Sequence, residues 1–140
     1  FMNTINKNGF LLIAHDREDY HEMPLAKLRD LLDRNKAWID GLAAQGKLLG
    51  GHPLEQAGVI LSKKNGKLIS DGPFAEAKEA IGGFLHLNVA TLAEAVAIAE
   101  AAPALDYGLR MEVRPVAAEC AKTTALRERE QQEKLAAVAA

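Results

Sequence analysis

The apolar run GFLLIA at residues 9–14 constrains the fold more than any other stretch of the chain. It follows the turn-forming pair Asn8-Gly9, and the polar stretch HDREDYHEM comes directly after it. A short continuous apolar run between turn formers is typical of a strand that is buried on both faces of its sheet. We therefore predict a central strand, and the rest of the chain has to supply its neighbours and its cover.

A second pattern predicts the cover on one face. Aliphatic residues and one amide recur at alternating steps of three and four, at Leu25, Leu28, Leu32, Asn35, Ile39 and Leu42. This is the period of one face of a helix; Pro24 suits its first turn and Gly46 ends it. Asn35 stands where the other members of the stripe point inward. We expect it to face the interior and take it as a candidate ligand-binding residue.

The remaining patterns complete a ferredoxin-like order. Strand-type runs occur in KLLGG, GVILSKKNGKLIS, FLHLNV and LRMEVRPV. Within the second run, Asn65-Gly66 predicts a two-residue hairpin, which we place at a sheet edge. Thr91 and Glu94 form a capping box that opens a second helix, and Pro103 closes it. The order is strand, helix, strand, hairpin, strand, helix, strand. It predicts an α+β fold of ferredoxin-like βαββαβ type with a hairpin insertion.

Length, charge and cysteine content exclude several classes of protein. A chain of 140 residues fits one domain with a substantial core. Its 17 Lys and Arg against 19 Asp and Glu give no basic field for nucleic acid. The single cysteine, Cys120, rules out an internal disulfide, and no apolar run approaches the roughly 20 residues that span a bilayer. We expect a soluble, cytoplasmic protein with neither a nucleic-acid partner nor a membrane partner.

The end of the chain differs in composition from the rest. Residues 117–140 are rich in Ala, Glu, Arg and Gln, with high helix propensity but only a weak apolar stripe. We therefore predict a domain over residues 9–116 and a C-terminal helical tail over residues 117–140. The tail is either a helix that needs a partner surface or a frayed end.

The predicted sheet leaves one face without helices. A second copy of the same sheet is the usual cover for such a face, so we expect a homodimer. Strand alternation places His86 on this open face, together with Arg110, Glu112 and Arg114 two strands away. We name His86, Glu112 and Arg114 as candidates to bind a small polar or anionic molecule in a cleft between protomers. The alternative is an interface ion-pair network that satisfies itself.

The stretch SDGPFAEAKEAIGG is longer than a chain reversal requires. Asp71, Gly72 and Pro73 restrict a turn that aims Phe74 in one direction. We predict an ordered excursion over the mouth of the open-face cleft, and the candidate ligand-binding residues in it are Asp71, Phe74, Glu76 and Lys78. The alternative is that Asp71 caps a turn, Phe74 fills the core and the charges form a solvated face.

Motifs for a metal or a bound cofactor are not visible. His15 and His21 have acidic neighbours, but a six-residue spacing in a loop does not predict a metal site. There is no glycine-rich phosphate loop, Ser-His-Asp order or setting for a nucleophilic cysteine. We expect no metal and no tightly bound cofactor.

Four blocks together resemble the YCII-related family, in its DGPF-motif branch. They are Asp71-Gly72-Pro73-Phe74, the charged residues Glu76, Lys78 and Glu79, Gly82-Gly83-Phe84, and the closing Glu112-Val113-Arg114-Pro115-Val116. The resemblance implies a dimeric α/β barrel in which two ferredoxin-like sheets pack face to face. The biochemical role of the family is mostly unassigned, and its wider superfamily includes small-molecule monooxygenases and lyases.

The chain departs from the family at two positions. Shorter members carry a His in the first long helix and an Asp near the end of the second, proposed as an acid/base pair; here these fall on Asn35 and Ala102. Neither residue carries a proton near neutral pH. Three hypotheses follow: a module that binds a small molecule, a lyase or monooxygenase-like enzyme without a tightly bound cofactor, and a purely structural dimer. For the enzyme we expect a single pocket built from the open sheet face, Asn35 and the DGPF stretch.

Overall fold

A computed structural model describes residues 1–16, 19–71 and 80–140. Its strands are β1 (Phe10–Asp16), β2 (Leu48–Pro53), β3 (Ile60–Lys64), β4 (Lys67–Asp71), β5 (Ala80–Leu87) and β6 (Arg110–Pro115). Its helices are α1 (Leu25–Ala44), α2 (Leu92–Glu100) and α3 (Ala121–Ala139). Short 3₁₀ helices occupy Asp19–His21 and Pro103–Tyr107. The elements before α3 follow the predicted order.

Four strands form one antiparallel sheet in the order β2-β5-β1-β6. This is the ferredoxin-like arrangement, and the α+β prediction is confirmed. β1 lies between two neighbours, as its apolar sequence predicted. Phe10, Leu12 and Leu87 are completely buried on one face, where they pack with residues of α1 and α2. The opposite face of β1 carries Leu11 and Ile13, which are only half-buried.

Local sequence signals fix the ends of both covering helices. The backbone N–H of Leu28 donates to the carbonyl of Pro24, which closes the first turn of α1. Gly46 ends that helix with a φ of 68°, a conformation that glycine adopts without strain. At the start of α2, the Thr91 hydroxyl accepts from the backbone N–H of Glu94 at 3.2 Å, as expected for an N-cap.

The hairpin β3–β4 forms, but its predicted place at the sheet edge is wrong. Asn65 and Gly66 both have positive φ, 52° and 77°, as a two-residue hairpin turn requires. β3 and β4 pair only with each other and make a separate two-stranded sheet. Their side chains are all exposed. The Asn65-Gly66 turn therefore determines that β3 and β4 pair with each other. It does not attach them to the main sheet, whose edge strand is β2.

The third helix, α3, has no buried residue. Its first turns are tied to the preceding segment, since Thr124 Oγ1 donates to Glu119 Oε1 at 2.9 Å and Arg127 pairs with the same carboxylate. These contacts lower the pKa of the Glu119 carboxyl, the Arg127 hydrogen bond most strongly. Among the residues that the structure describes, no helix is long and apolar enough to cross a membrane.

Candidate functional site

A cavity of about 760 Å³ lies between α1 and the helix-covered face of the sheet. Most of its wall is aliphatic. Side chains from α1, the sheet and the segment before β6 contribute to it, among them Leu12, Leu28, Leu31, Leu32, Ile39, Leu48, Leu85, Leu109 and Met111. Trp38, the only tryptophan of the chain, also lines it. The cavity can therefore accommodate a small molecule with a large apolar part.

Few of the described side chains that line this cavity are polar. Asp16 at the end of β1, Tyr20 in the first 3₁₀ helix and Asn35 in α1 are among them. Asn35 is half-buried, and in the described part of the chain its amide makes no side-chain hydrogen bond. Ala102 lines the same cavity and is 3% exposed. The two positions where the family resemblance places an acid/base pair thus face one space.

A β-bulge positions the Asp16 carboxylate. The pairing of β1 with β5 runs Ala14↔Gly83 and then His15↔Ile81, so Gly82 has no partner in β1. A Cβ built on Gly82 would lie 1.6 Å from Asp16 Oδ2 and 2.1 Å from its Cγ. Bulges often re-aim side chains next to functional sites. Here the missing side chain of Gly82 leaves the space that the carboxylate occupies.

Glycine backbone forms another part of the wall, where β2 meets β5. Gly50, Gly51, Gly82 and Gly83 all line the cavity. A Cβ on Gly51 would lie 2.5 Å from the Phe84 carbonyl oxygen, and one on Gly83 would lie 2.8 Å from the His52 carbonyl oxygen. These contacts leave no room for a side chain. The strands approach closely here, and the cavity extends to their backbone.

A polar cluster clamps α1 onto the second 3₁₀ helix at one side of the cavity. Arg34 of α1 pairs with Asp106, and the Tyr107 hydroxyl donates to Asp30 Oδ2 at 2.7 Å. The hydrogen bond to Asp106 raises the pKa of Arg34, and the hydrogen bond to Asp30 raises the pKa of Tyr107. All four groups are on the protein surface. They hold the helix and the cavity-lining segment after Ala102 together.

The open face of the sheet carries a different set of groups. His86, Leu11 and Arg114 stand side by side across β5, β1 and β6, and Phe84, Ile13 and Glu112 form the next row. His15 Nε2 donates to Glu112 Oε1 at 2.8 Å, and Arg114 Nε lies 3.7 Å from Glu112 Oε2. His86 Nε2 instead donates to the backbone carbonyl of Asn8 at 2.8 Å. The structure brings Glu112 and Arg114 together and bonds His86 elsewhere.

The predicted candidates therefore do not form one pocket. Asn35 lies on the helix side of the sheet, whereas His86, Glu112 and Arg114 lie on the opposite side, because strand residues alternate between faces. The hypothesis of a single pocket built from Asn35 and the open face is corrected on this point. Asp71 is exposed at the end of β4. Phe74, Glu76 and Lys78 lie outside the described residues, and so does the predicted excursion of the DGPF stretch.

Sequence reasoning missed Asp16 and Tyr20. Both stand in HDREDYHEM, whose polar composition predicts a loop, but β1 continues to Asp16. If the predicted strand is extended to Asp16, alternation places Asp16 on the same face as Leu12 and Ala14, the face that the helices cover. Tyr20 offered no such signal, because a single turn of 3₁₀ helix has no long periodic pattern. Within the described part of the chain, no three metal-ligating side chains come together.

Comparison with known proteins gives one family. The profile of the YCII-related domain matches residues 9–118. A comparison with curated proteins finds no match. The DGPF branch stays a prediction, because the match is to the family as a whole. The matched region contains β1 to β6, α1 and α2, and with them all of the described residues that line the cavity. The chain belongs to the YCII-related family.

Proposed function

We propose that this YCII-related protein binds a small organic molecule in the cavity between α1 and the sheet. The cavity itself carries the proposal. Its volume of about 760 Å³ falls in the range of roughly 300–1,000 Å³ typical of small-molecule sites, which combine apolar walls with a few polar groups. Asn35 and Ala102, the positions singled out by the family resemblance, both line it. Their convergence supports a site in this cavity and favours a ligand with an apolar body.

Binding without acid/base chemistry at positions 35 and 102 fits this chain best. The amide of Asn35 donates and accepts hydrogen bonds but is neither an acid nor a base near neutral pH, and Ala102 has no polar atom in its side chain. A lyase or monooxygenase-like reaction would therefore need other groups in the cavity for proton transfer. A binding or regulatory role needs only the shape and the hydrogen-bonding groups.

A neutral fluorescent probe tests the proposal. 1-N-phenylnaphthylamine brightens in apolar surroundings, and we expect saturable binding to the wild-type protein. Asn35→Phe extends a ring into the cavity and should weaken binding at least tenfold. Lys36→Phe is the matched control, because it adds the same ring at the next position of α1, where the native side chain is 77% exposed. It should bind within about twofold of wild type. Absence of saturable binding, or equal binding by both variants, contradicts the proposal.

The open face is a second candidate site, as a cleft between two copies of the chain. Leu11, Ile13 and Phe84 form an incompletely buried apolar strip there, edged by Glu112 and by an Arg114 side chain that is 68% exposed. Apolar strips with polar rims are typical of interfaces. We propose that a homodimer covers this face and that a small polar or anionic molecule binds beside Arg114, whose guanidinium suits a carboxylate.

Calorimetric titration with malonate tests this second site. We expect Arg114→Ala to weaken malonate binding about tenfold, as loss of a charge-assisted hydrogen bond would. Arg129→Ala on the exposed helix α3 removes the same charge away from the sheet and should leave binding unchanged. Equal affinity of all three proteins would contradict an anion site at Arg114.

A further inference from the structure

We infer that the ligand of the cavity is an organic cation, such as an amine with an apolar body, and that Asp16 binds its charged group. The inference rests on the proposed function, because it names the ligand class of the same cavity. Three observations carry it: the charges that line the cavity, the surroundings of the Asp16 carboxylate, and the bulge that holds this carboxylate in place.

The cavity has one carboxylate and no opposing cation among its described lining residues. Asp16 supplies the carboxylate, and neither Lys nor Arg belongs to the lining. His52 also belongs to it, but its ring packs edge-on against Phe84, with 5.8 Å between ring centroids. His52 of β2 pairs with Phe84 of β5, so both side chains lie on the open face of the sheet, where His52 is exposed and Phe84 is half-buried. An aspartate is negatively charged at neutral pH, and apolar walls strengthen its attraction for a cation.

The Asp16 carboxylate has no partner within the part of the chain that the structure describes. It is half-buried, yet it takes part in no hydrogen bond or ion pair there. Glu112 offers the contrast, since its carboxylate contacts both His15 and Arg114. A partly desolvated charge without a partner is unfavourable. A ligand amine would remove that cost, whereas a ligand carboxylate would add to it.

The bulge at Gly82 fixes where the charge lies. Because Gly82 has no Cβ and no partner in β1, the Asp16 side chain packs directly against the backbone of β5. Gly82 and Gly83 both line the cavity beside it. The carboxylate therefore stands at a defined point on the glycine part of the wall, with the aliphatic residues of α1 available to the apolar body of the ligand.

Three phenyl compounds of similar size and different charge test the inference. They are 2-phenylethylamine, 2-phenylethanol and 3-phenylpropionate, each used to displace 1-N-phenylnaphthylamine. We expect the amine to compete at least tenfold better than the alcohol, and the carboxylate to be the weakest. Asp16→Asn, which keeps the size of the side chain, should remove the advantage of the amine and leave affinity for the neutral probe within about twofold. Asp33→Asn, on the exposed face of α1, should change neither.

A second variant, Gly82→Ala, tests whether the position of the Asp16 carboxylate matters as well as its negative charge. Gly82→Ala should displace the carboxylate and reduce the ratio of amine to alcohol affinity, whereas in an Asp16→Asn background it should not change that ratio further. An amine advantage that survives Asp16→Asn, or a preference for the carboxylate compound, overturns the inference. Because the neutral probe still binds in those cases, the proposed cavity site would stand. Loss of probe binding to wild type would instead contradict both proposals.

Discussion

At the scale of single residues, the contact between Asp16 and Gly82 shows how a backbone irregularity determines a side-chain position. Strand alternation alone places Asp16 on the helix side of the sheet. The bulge in β5 adds the space that the carboxylate fills. A glycine in a strand interior often marks such a close approach. Glycine is therefore needed at position 82 because a larger residue would collide with Asp16, and not because the backbone there adopts an unusual conformation.

A double-mutant cycle measures that requirement. Gly82→Ala should destabilise the wild-type protein by about 1–3 kcal/mol, as overpacking does. In an Asp16→Ala background the conflicting atoms of the carboxyl group are gone, so the same change should cost much less. Urea unfolding of the four proteins gives the coupling free energy. Equal costs in the two backgrounds would show that the two residues do not compete for this space.

Asn35 allows a separation of stability from binding. Its amide has no side-chain hydrogen bond in the described structure, and Leu has the higher helix propensity. Asn35→Leu should therefore change the free energy of unfolding by less than about 0.5 kcal/mol. It should nevertheless alter the thermal shift that 2-phenylethylamine produces. If every ligand-induced thermal shift stays as in wild type, Asn35 has no role in the cavity.

The sequence predicted one side of this site but not the other. Asn35 belongs to a stripe with a helical period, and such a stripe predicts the inward face of a helix. The prediction holds for Asn35 and Leu42, but Leu25 and Leu32 are 63% and 60% exposed. To predict the position of Asp16, one must know where β1 ends. The sequence does not show this, because His15 and Asp16 are polar like the residues of the loop that follows. The bulge at Gly82 depends on the register between β1 and β5. Register is a tertiary property that no local pattern contains.

At the scale of elements, the sequence also predicts local features correctly but not which strands pair with one another. The capping box of α2 and the Asn65-Gly66 turn formed as predicted, because a few adjacent residues determine them. The separate sheet of β3 and β4 did not follow from those signals. A turn sequence fixes which two strands pair with each other. It carries no information on whether either strand also pairs with a third.

The clamp between α1 and the second 3₁₀ helix gives a pH-dependent prediction. The hydrogen bond to Asp30 raises the pKa of Tyr107 above its ordinary value of 10.0, so the folded state holds this proton more tightly than the unfolded state does. The resulting stabilisation is fully present below about pH 10 and is lost as the pH rises through the raised pKa. Tyr107→Phe lacks this contribution at every pH.

Thermal denaturation across alkaline pH checks the prediction. The melting temperature of wild type should exceed that of Tyr107→Phe at about pH 8, and the difference should shrink by about pH 11. The hydrogen bond between Tyr107 and Asp30 joins surface groups, so the difference in melting temperature should be small. A constant difference over that range would show that the Tyr107 hydroxyl does not couple to Asp30.

At the scale of the whole molecule, the open face of the sheet predicts a homodimer. Leu11, Ile13 and Phe84 stand on a face that neither α1 nor α2 covers, and a second sheet is the natural cover for them. Light scattering at micromolar concentration should report about twice the chain mass, and Ile13→Glu should reduce it toward one chain. A wild-type protein with the mass of one chain contradicts the dimer.

The helix α3 predicts that the YCII-related domain is stable without it. No residue of α3 is buried, so a protein that ends at Val116 loses little packing. Its melting temperature should stay within a few degrees of that of the full chain. Gln131→Gly weakens the exposed helix without removing it and should likewise leave the domain unchanged. A large fall in melting temperature for the shortened chain would assign α3 a structural role.

The glycine part of the cavity wall also bears on how ligand preference diverges in evolution. Side chains at Gly51 and Gly83 would meet the backbone of the neighbouring strand at once, and a side chain at Gly82 would meet the Asp16 carboxyl group. A descendant protein can therefore vary Gly51 and Gly83 only by moving a strand, and Gly82 only by moving the carboxylate. The opposite wall, on α1, consists of side chains such as Leu28, Leu32 and Asn35, whose exchange leaves the backbone in place. New specificities in a lineage with this cavity would therefore arise by mutation along α1, while the strands β2 and β5 are inherited unaltered.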